Sequence, residues 1–399
     1  MNVFEKIRPY LPILMLTAGH GAVDSYIGLL PVLAPGLAEY LNIPLGDIVM
    51  LIGISSLITN LVQPAAGWAM GHKNLAWTLW VTILVSSISC FMGFAINFPT
   101  LAAIIIVAAA ATGLYHPEAV LSAHDATGEK AYLGIPMFMA GGAAIYALFT
   151  PISIKITETY GFKSLVWLIL PGALLSLVFF LYHQNRKRSH PSIVIRPRSK
   201  RMTQVQAGRL SFWPLLGIAF FLMLTNGLFM AVLSSHFELQ FGPTSRYWVG
   251  YTYMAFGVLG SLSSFWWSGM SRKHNYYKLV LISQILAVPL FVTIALAGSP
   301  QVAFAVALPL SVVAPVAVIP GAITLSRNAS GSTQGMRTAL MMGGPYAISS
   351  ALVMVAGALL RSGFESRWIM LFISCSSAVA MLLALWQFLK TRKHYKPEA

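Results

Sequence analysis

The stretch LTAGHGAVDSYIGLLPVLAP (16–35) is apolar enough to cross a membrane, yet it carries two ionisable residues in its middle. These residues, His20 and Asp24, are four positions apart. A helix of about 20 apolar residues spans the hydrocarbon core of a bilayer, and a charge at that depth is costly. The stretch therefore predicts a membrane helix whose polar pair faces a cavity or a partner.

The rest of the chain also has the composition of a membrane protein. Of its 399 residues, 57% are hydrophobic and 9% are charged, with a mean hydropathy of +0.73. Soluble domains carry about 25% charged residues, so this chain could not cover a core with polar surface in water. Breaks at Gly, Pro, Asn and charged clusters divide the chain into apolar segments. We predict an all-α membrane protein with twelve transmembrane helices.

Lys and Arg are distributed unequally between the predicted loops. With the N-terminus in the cytoplasm, most of the 26 basic residues fall on the cytoplasmic side, as the positive-inside rule requires. We therefore expect a multi-pass protein of the bacterial inner membrane with both termini in the cytoplasm. The formal net charge of +15 is then a topology signal and predicts no binding to nucleic acid. The exceptions, on the opposite side, are Lys155, Lys163, Arg246, Arg361 and Arg367.

The two halves of the chain resemble each other in sequence. LMLTAG (14–19) recurs as LMLTNG (222–227), and PMFMAGG (136–142) recurs as TALMMGG (338–344), in the same order. Six helices per repeat would give both halves the same orientation, with the substrate bound near the midplane. The sequence thus predicts two parallel six-helix repeats.

A long basic segment separates these repeats. We predict an N-terminal six-helix bundle at 1–184, a basic cytoplasmic linker at 185–210, and a C-terminal six-helix bundle at 211–399.

Glycine pairs recur in both halves, and small residues let helices approach closely. Such pairs suit an interface between helices that move during transport, and ordinary helix packing is the alternative. The residues predicted for gating or helix packing are Pro117 and the glycine pairs Gly141, Gly142, Gly343 and Gly344.

Two acidic residues fall well inside predicted helices, Asp24 in the first and Glu118 in the fourth. His20 and Asp24 share one helical face, where the carboxylate can orient the imidazole and exchange a proton with it. His116 and Glu118 point to roughly opposite sides, and we favour Glu118 for the cavity. We predict that all four residues couple transport to protons. A fixed hydrogen-bond network that locks the first and fourth helices is the alternative.

The same four side chains are of the types that bind zinc, so a metal site is a further alternative. The chain has no short ligand spacing such as HExxH, and we predict no metal and no cofactor. The second half offers polar side chains but no acidic residue at mid-depth. The predicted substrate-binding residues are Tyr115, Asn226, Gln63 and His236.

Several motifs follow one another in the first half: GHGAVD (19–24), LLPVLAP (29–35), LVQPAAGW (61–68) and YHPEA (115–119). This order resembles the fosmidomycin-resistance-type exporters of the major facilitator superfamily, with His-Pro-Glu as its most specific element. The resemblance implies a twelve-helix protein that expels a small molecule in exchange for protons. It also implies that the proton-coupling candidates lie at His20, Asp24, His116 and Glu118.

We predict a secondary active transporter, a monomer in the lipid bilayer, that exports a small organic molecule such as a drug or metabolite by alternating access. A proton-coupled importer of a nutrient or metabolite is the alternative, because the architecture serves both directions. A membrane enzyme is disfavoured, because the chain contains no GxSxG, Walker or HExxH motif. Leu121 stands where the exporters tend to have an arginine after His-Pro-Glu, so an anion-binding arginine is missing from this helix.

Overall fold

A computed structural model describes the chain at residues 10–70, 75–127, 131–189, 211–326, 329–331 and 334–392. In these residues the first half forms helices α1 (Leu11–Leu41), α2 (Leu45–Met70), α3 (Thr78–Ser86), α4 (Phe98–Thr127), α5 (Ala131–Tyr160) and α6 (Ile169–Ser189). A 3-10 helix, Ser87–Phe94, extends α3, and another, Phe162–Leu168, precedes α6.

The second half is helical as well. Its helices are α7 (Phe212–Phe241), α8 (Arg246–Lys273), α9 (Tyr276–Ala295), α10 (Pro300–Val313), α11 (Pro315–Ser326), α12 (Gln334–Arg361) and α13 (Ser366–Thr391). Within the described residues, the pairing of extended backbone is limited to one isolated bridge between Ser211 and Ser330.

The helices correspond to the twelve predicted membrane segments. Among the described residues, ten helical segments are long and apolar enough to cross a membrane, and Thr78–Phe94 is a shorter apolar one. The remaining segment, α8, is long but is diluted by glycine, serine, tyrosine and tryptophan. One membrane segment, Pro300–Ile323, contains both α10 and α11. The helix is interrupted before Pro315 because proline has no N–H to continue the hydrogen-bond ladder. The prediction of an all-α protein with twelve spans is confirmed.

Pro117 lies inside α4 but does not end the helix. The helix continues ten residues further, to Thr127. Membrane helices tolerate an internal proline because neighbouring groups satisfy the backbone carbonyl that loses its donor. Both His116 and Glu118 are therefore carried on one continuous helix.

The described residues divide into two compact units. Residues 10–33 and 58–189 form the first, and residues 34–57 and 211–392 form the second. Residues 34–57, from the end of α1 to the start of α2, thus pack with helices of the second half. Most of the predicted linker, 190–210, lies outside the described residues, so the proposed bundle boundaries stay a prediction.

An apolar core in the first unit surrounds the polar pair of α1. Helices α1, α3, α4, α5 and α6 all contribute to it. Its buried members keep water away from the first half of α1, so the polar residues there need partners inside the protein. The buried residues of this core are Ile13, Met15, Leu16, Val23, Ile83, Tyr115, Ala119, Ala123, Phe138 and Phe179.

Candidate functional site

Asp24 lies between two histidines in the first unit. Its Oδ2 is 3.1 Å from His20 Nε2, and its Oδ1 is 3.2 Å from His116 Nε2. The His20 contact follows from the spacing of four residues on α1, whereas His116 comes from α4. The Asp24 side chain is 31% exposed, against 5% for His20 and 20% for His116. The cluster is thus partly open at its carboxylate.

Backbone carbonyls hold the other nitrogen of each histidine. His20 Nδ1 is 3.0 Å from the carbonyl oxygen of Phe138 on α5, and His116 Nδ1 is 2.8 Å from that of Thr112 on α4. The Phe138 ring also stacks on the His20 ring, with centroids 4.4 Å apart and planes 13° apart. The two imidazoles meet edge to face, with centroids 5.2 Å apart. Both rings are therefore fixed in orientation, with Nε2 directed at Asp24.

A glycine pair lets α5 approach α1 at the cluster. A Cβ atom at Gly142 would lie 2.1 Å from His20 Nδ1, and one at Gly141 would lie 2.3 Å from Thr17 Cγ2. Neither glycine could gain a side chain without displacing α1 or its residues. In the second half, Gly343 is half-buried on α12, and a Cβ at Gly344 would meet nothing within 4 Å.

Glu118 is a buried carboxyl on α4. It is 6% exposed, and the hydroxyl of Ser122 donates to its Oε1 at 3.3 Å. The residue of α4 that contacts Asp24 is His116, and the preference for Glu118 at the cavity stays a prediction. Tyr115, one position earlier, is fully buried and donates its hydroxyl to the carbonyl of Leu16 at 3.0 Å.

The other predicted substrate-binding residues lie on two helices, α2 and α7. Gln63 is half-buried on α2 in the first unit, and Asn226 is half-buried on α7 in the second. His236, also on α7, is fully buried, with Nδ1 3.0 Å from Ser366 Oγ on α13. Within this set, the half-buried amides are more open to a ligand than the buried tyrosine and histidine.

Ion pairs in the second unit were absent from the sequence interpretation. Arg246 contacts both Glu39 and Glu238, and Arg361 Nη1 lies 2.9 Å from Asp47 Oδ1. The sequence offered a partial signal, because both arginines are among the few basic residues expected on the non-cytoplasmic side. Their partners are distant in sequence, so their identity required the structure.

The fold and the site define a class of protein. The chain is a polytopic helical membrane protein that holds a carboxylate and two imidazoles inside an apolar bundle, as membrane transporters do along their pathways. A family model, the Major Facilitator Superfamily, matches residues 15–342, and the chain belongs to this superfamily. It is accordingly a secondary transporter of a small molecule that works by alternating access across a bilayer, and it is not an enzyme.

Individual relatives are distant. An uncharacterized MFS-type transporter of Bacillus subtilis (strain 168), YfnC, is 23% identical over 164 residues. That match covers 41% of this chain and 40% of the relative.

Solved structures share the fold over nearly the whole chain. A bacterial homologue of the human lysosomal transporter Spinster, in an inward-facing and occupied conformation, superposes with a TM-score of 0.69 at 14% identity. The alignment covers 98% of this chain and 99% of that one. A mutant of the peptide transporter POT, in complex with alafosfalin, gives a TM-score of 0.70 at 12% identity, covering 96% and 94%. At these identities the likeness shows the fold alone.

Proposed function

We propose that this transporter exports a small organic molecule in exchange for protons, and that Asp24, between His20 and His116, is the centre of proton coupling. The observation that carries the proposal is the pair of imidazole–carboxylate contacts at 3.1 and 3.2 Å within an apolar unit. Export, and a drug or metabolite as substrate, rest on the resemblance of GHGAVD and His-Pro-Glu to the fosmidomycin-resistance-type exporters.

Hydrogen-bond chemistry gives the number of protons in the closed cluster, that is, the cluster with both histidines in contact with Asp24. A carbonyl oxygen only accepts, so each Nδ1 that contacts one carries a proton. Each remaining contact joins Nε2 to a carboxylate oxygen and also needs one proton, because an unprotonated Nε2 and a carboxylate oxygen are both acceptors. The closed cluster therefore holds two exchangeable protons, one with His20 and one with His116.

Proton loss and helix contact are linked in this arrangement. When the proton between His116 and Asp24 leaves, two acceptors face each other and the contact opens. Asp24 belongs to α1 and His116 to α4, so the protonation of the cluster biases how these helices meet. Protons stabilise the conformational state that binds them more tightly. Coupled transport requires such a difference in proton affinity between two states.

The other predicted residues have places in this proposal. Glu118 is the second proton-coupling candidate, because it is a buried carboxyl on the helix that carries His116. Gln63 and Asn226 are the candidates for substrate contact, since both are half-buried amides. Gly141 and Gly142 allow α5 to move against α1 at short range.

The cellular setting is part of the proposal. We place the transporter as a monomer in a bacterial inner membrane, with both termini in the cytoplasm. The excess of Lys and Arg in the loops on that side supports this orientation.

Inside-out vesicles with a pH-sensitive dye in an acidified lumen test the exchange. Fosmidomycin is the first probe, followed by a panel of neutral and cationic drugs, because Leu121 leaves α4 without the exporters' arginine. Export by exchange predicts that an added substrate makes the lumenal pH rise. A fall in lumenal pH with substrate entry would instead indicate symport.

Substitutions test whether the substrate-triggered pH change depends on the proposed proton-coupling residues. Asp24→Asn should abolish the substrate-triggered pH change, and Glu118→Gln should weaken it. Glu365→Gln is the matched control, because Glu365 is 54% exposed and pairs with Arg367 only two residues away. If both Asp24→Asn and Glu118→Gln exchange at the wild-type rate, the assigned proton-coupling site is wrong.

A further inference from the structure

The cluster in the first unit presents three ligand atoms to one point. These are the Nε2 atoms of His20 and His116 and a carboxylate oxygen of Asp24, all within 4.8 Å of one another. Two imidazoles and a carboxylate are a ligand set that zinc uses in proteins. Together they can satisfy a cation that none of them could hold alone.

The outer contacts of the histidines match those of metal ligands. A histidine that binds a metal through one nitrogen typically donates its other N–H to a carbonyl or a carboxylate, which fixes the tautomer and the ring orientation. His20 does so with the carbonyl of Phe138 and His116 with that of Thr112, at 3.0 and 2.8 Å. Both Nε2 lone pairs are thereby directed at the carboxylate of Asp24.

We propose that His20, Asp24 and His116 bind a divalent transition-metal ion of the zinc class. One such ion satisfies all three acceptors at once, in place of the two protons that the closed cluster otherwise needs. Binding itself does not depend on the proposed function. Its consequence, inhibition of proton exchange by the ion, does rest on that function.

The three ligand atoms lie within 4.8 Å of one another, and the two histidines contact different oxygens of Asp24, so binding would draw the ligands together around one ion. Zinc–nitrogen and zinc–oxygen bonds of about 2.0–2.2 Å place tetrahedral ligand atoms about 3.3 Å apart. The two contacts of Asp24 are 3.1 and 3.2 Å. Asp24 is the most exposed of the three side chains, at 31%, so a hydrated ion has access to it first. Three protein ligands leave a fourth position for water.

The ligand types determine which ions the site prefers. Imidazole nitrogen suits zinc, copper, nickel and iron, whereas magnesium and calcium prefer oxygen ligands in larger number. We therefore expect binding of Zn²⁺ and of its spectroscopic substitute Co²⁺, and no competition from millimolar Mg²⁺ or Ca²⁺. Zinc should also stop proton exchange, because ion and protons occupy the same lone pairs.

Calorimetric titration of the purified full-length protein with Zn²⁺ in detergent, without a membrane gradient, tests the binding. Asp24→Asn and His116→Gln should each weaken the tight site by about tenfold or more. His274→Gln is the control, since His274 is an exposed histidine at the C-terminal end of α8. The metal site is overturned if Asp24→Asn and His116→Gln bind Zn²⁺ as tightly as the wild-type protein and the control do, or if the wild-type protein binds no Zn²⁺.

Co²⁺ bound to the wild-type protein gives a second readout that needs no variant to fold. Visible absorption typical of a four-coordinate nitrogen–oxygen site supports the proposal, and the spectrum of a six-coordinate aqua ion opposes it. Proton exchange measured with a chelator present separates the two proposals. If the wild-type protein exchanges protons but does not bind zinc, only the metal site is overturned. If the wild-type protein binds zinc and Asp24→Asn still exchanges protons at the wild-type rate, only the proton-coupling role of Asp24 is overturned.

Discussion

Arg246 binds Glu238 through two parallel hydrogen bonds, Nε to Oε2 at 3.0 Å and Nη2 to Oε1 at 2.8 Å. Both side chains are largely buried, at 17% and 16% exposed. The same Nη2 lies 2.6 Å from Oε2 of Glu39, near the end of α1. Arg246 thus connects the start of α8 with the end of α7 and with residues 34–57, inside one compact unit.

Replacing Arg246 with methionine should loosen residues 34–57. The substitution leaves Glu238 buried without its bidentate donor, which costs about 1–3 kcal/mol. We expect faster hydrogen exchange in the peptides that cover residues 36–46, measured by mass spectrometry. Arg367→Met is the matched control, because that arginine pairs with Glu365 at 48% and 54% exposure, where a pair contributes about 0–1 kcal/mol. Equal loss of protection in both variants would contradict the role of Arg246.

The ion pairs also show what sequence reasoning could not reach. Arg246 and Glu39 are 207 residues apart in the chain, and no local pattern connects them. By contrast, the twelve spans and the His20–Asp24 pair follow from hydropathy and from a spacing of four residues. Hydropathy and local spacing were therefore sufficient to predict the fold class and one of the two histidine contacts of Asp24.

The other half of the cluster depended on the rotation of α4 about its own axis. His116 and Glu118 are two positions apart and point to roughly opposite sides of that helix, so the way the helix is turned toward α1 decides which of them meets Asp24. A single sequence does not contain that rotation. The anchoring acceptors, the carbonyls of Phe138 and Thr112, were also invisible to motif reasoning because any residue supplies a carbonyl.

Gly357→Ala should push α2 away from α12 in the second unit. A Cβ atom there would lie 2.5 Å from the backbone N of Met50 and 2.7 Å from the carbonyl oxygen of Gly46. Overpacking against backbone atoms costs about 1–3 kcal/mol, and we expect a lower midpoint in thermal unfolding of the purified protein.

Gly344→Ala provides the comparison on the same helix. A Cβ at Gly344 would meet nothing within 4 Å, and alanine is favoured over glycine in a helix by about 1 kcal/mol. The midpoint of unfolding should therefore stay unchanged or rise. A drop as large as that of Gly357→Ala would show that the close contact with α2 is not the cause.

Gly142→Ala should impair proton exchange by displacing His20. The added Cβ would lie 2.1 Å from Nδ1, so the ring must leave the Phe138 carbonyl that fixes its tautomer. We expect a loss of exchange in vesicles, together with a destabilisation of about 1–3 kcal/mol. Gly217→Ala on α7 controls for a generic effect of the substitution, because its Cβ would meet no atom within 4 Å. Wild-type exchange in Gly142→Ala would mean that the position of His20 does not matter.

Tyr115→Phe and Tyr26→Phe form a matched pair that separates packing from substrate recognition. Both tyrosines are buried in the first unit, and each donates its hydroxyl to a carbonyl of another helix, Tyr115 to Leu16 at 3.0 Å and Tyr26 to Leu168 at 2.8 Å. Removing either hydroxyl should cost about 0.5–1.5 kcal/mol of stability. Because the Tyr115 hydroxyl is already occupied, we expect the substrate concentration for half-maximal exchange to be the same in the two variants. An increase confined to Tyr115→Phe would show that this hydroxyl leaves Leu16 to contact the substrate during transport.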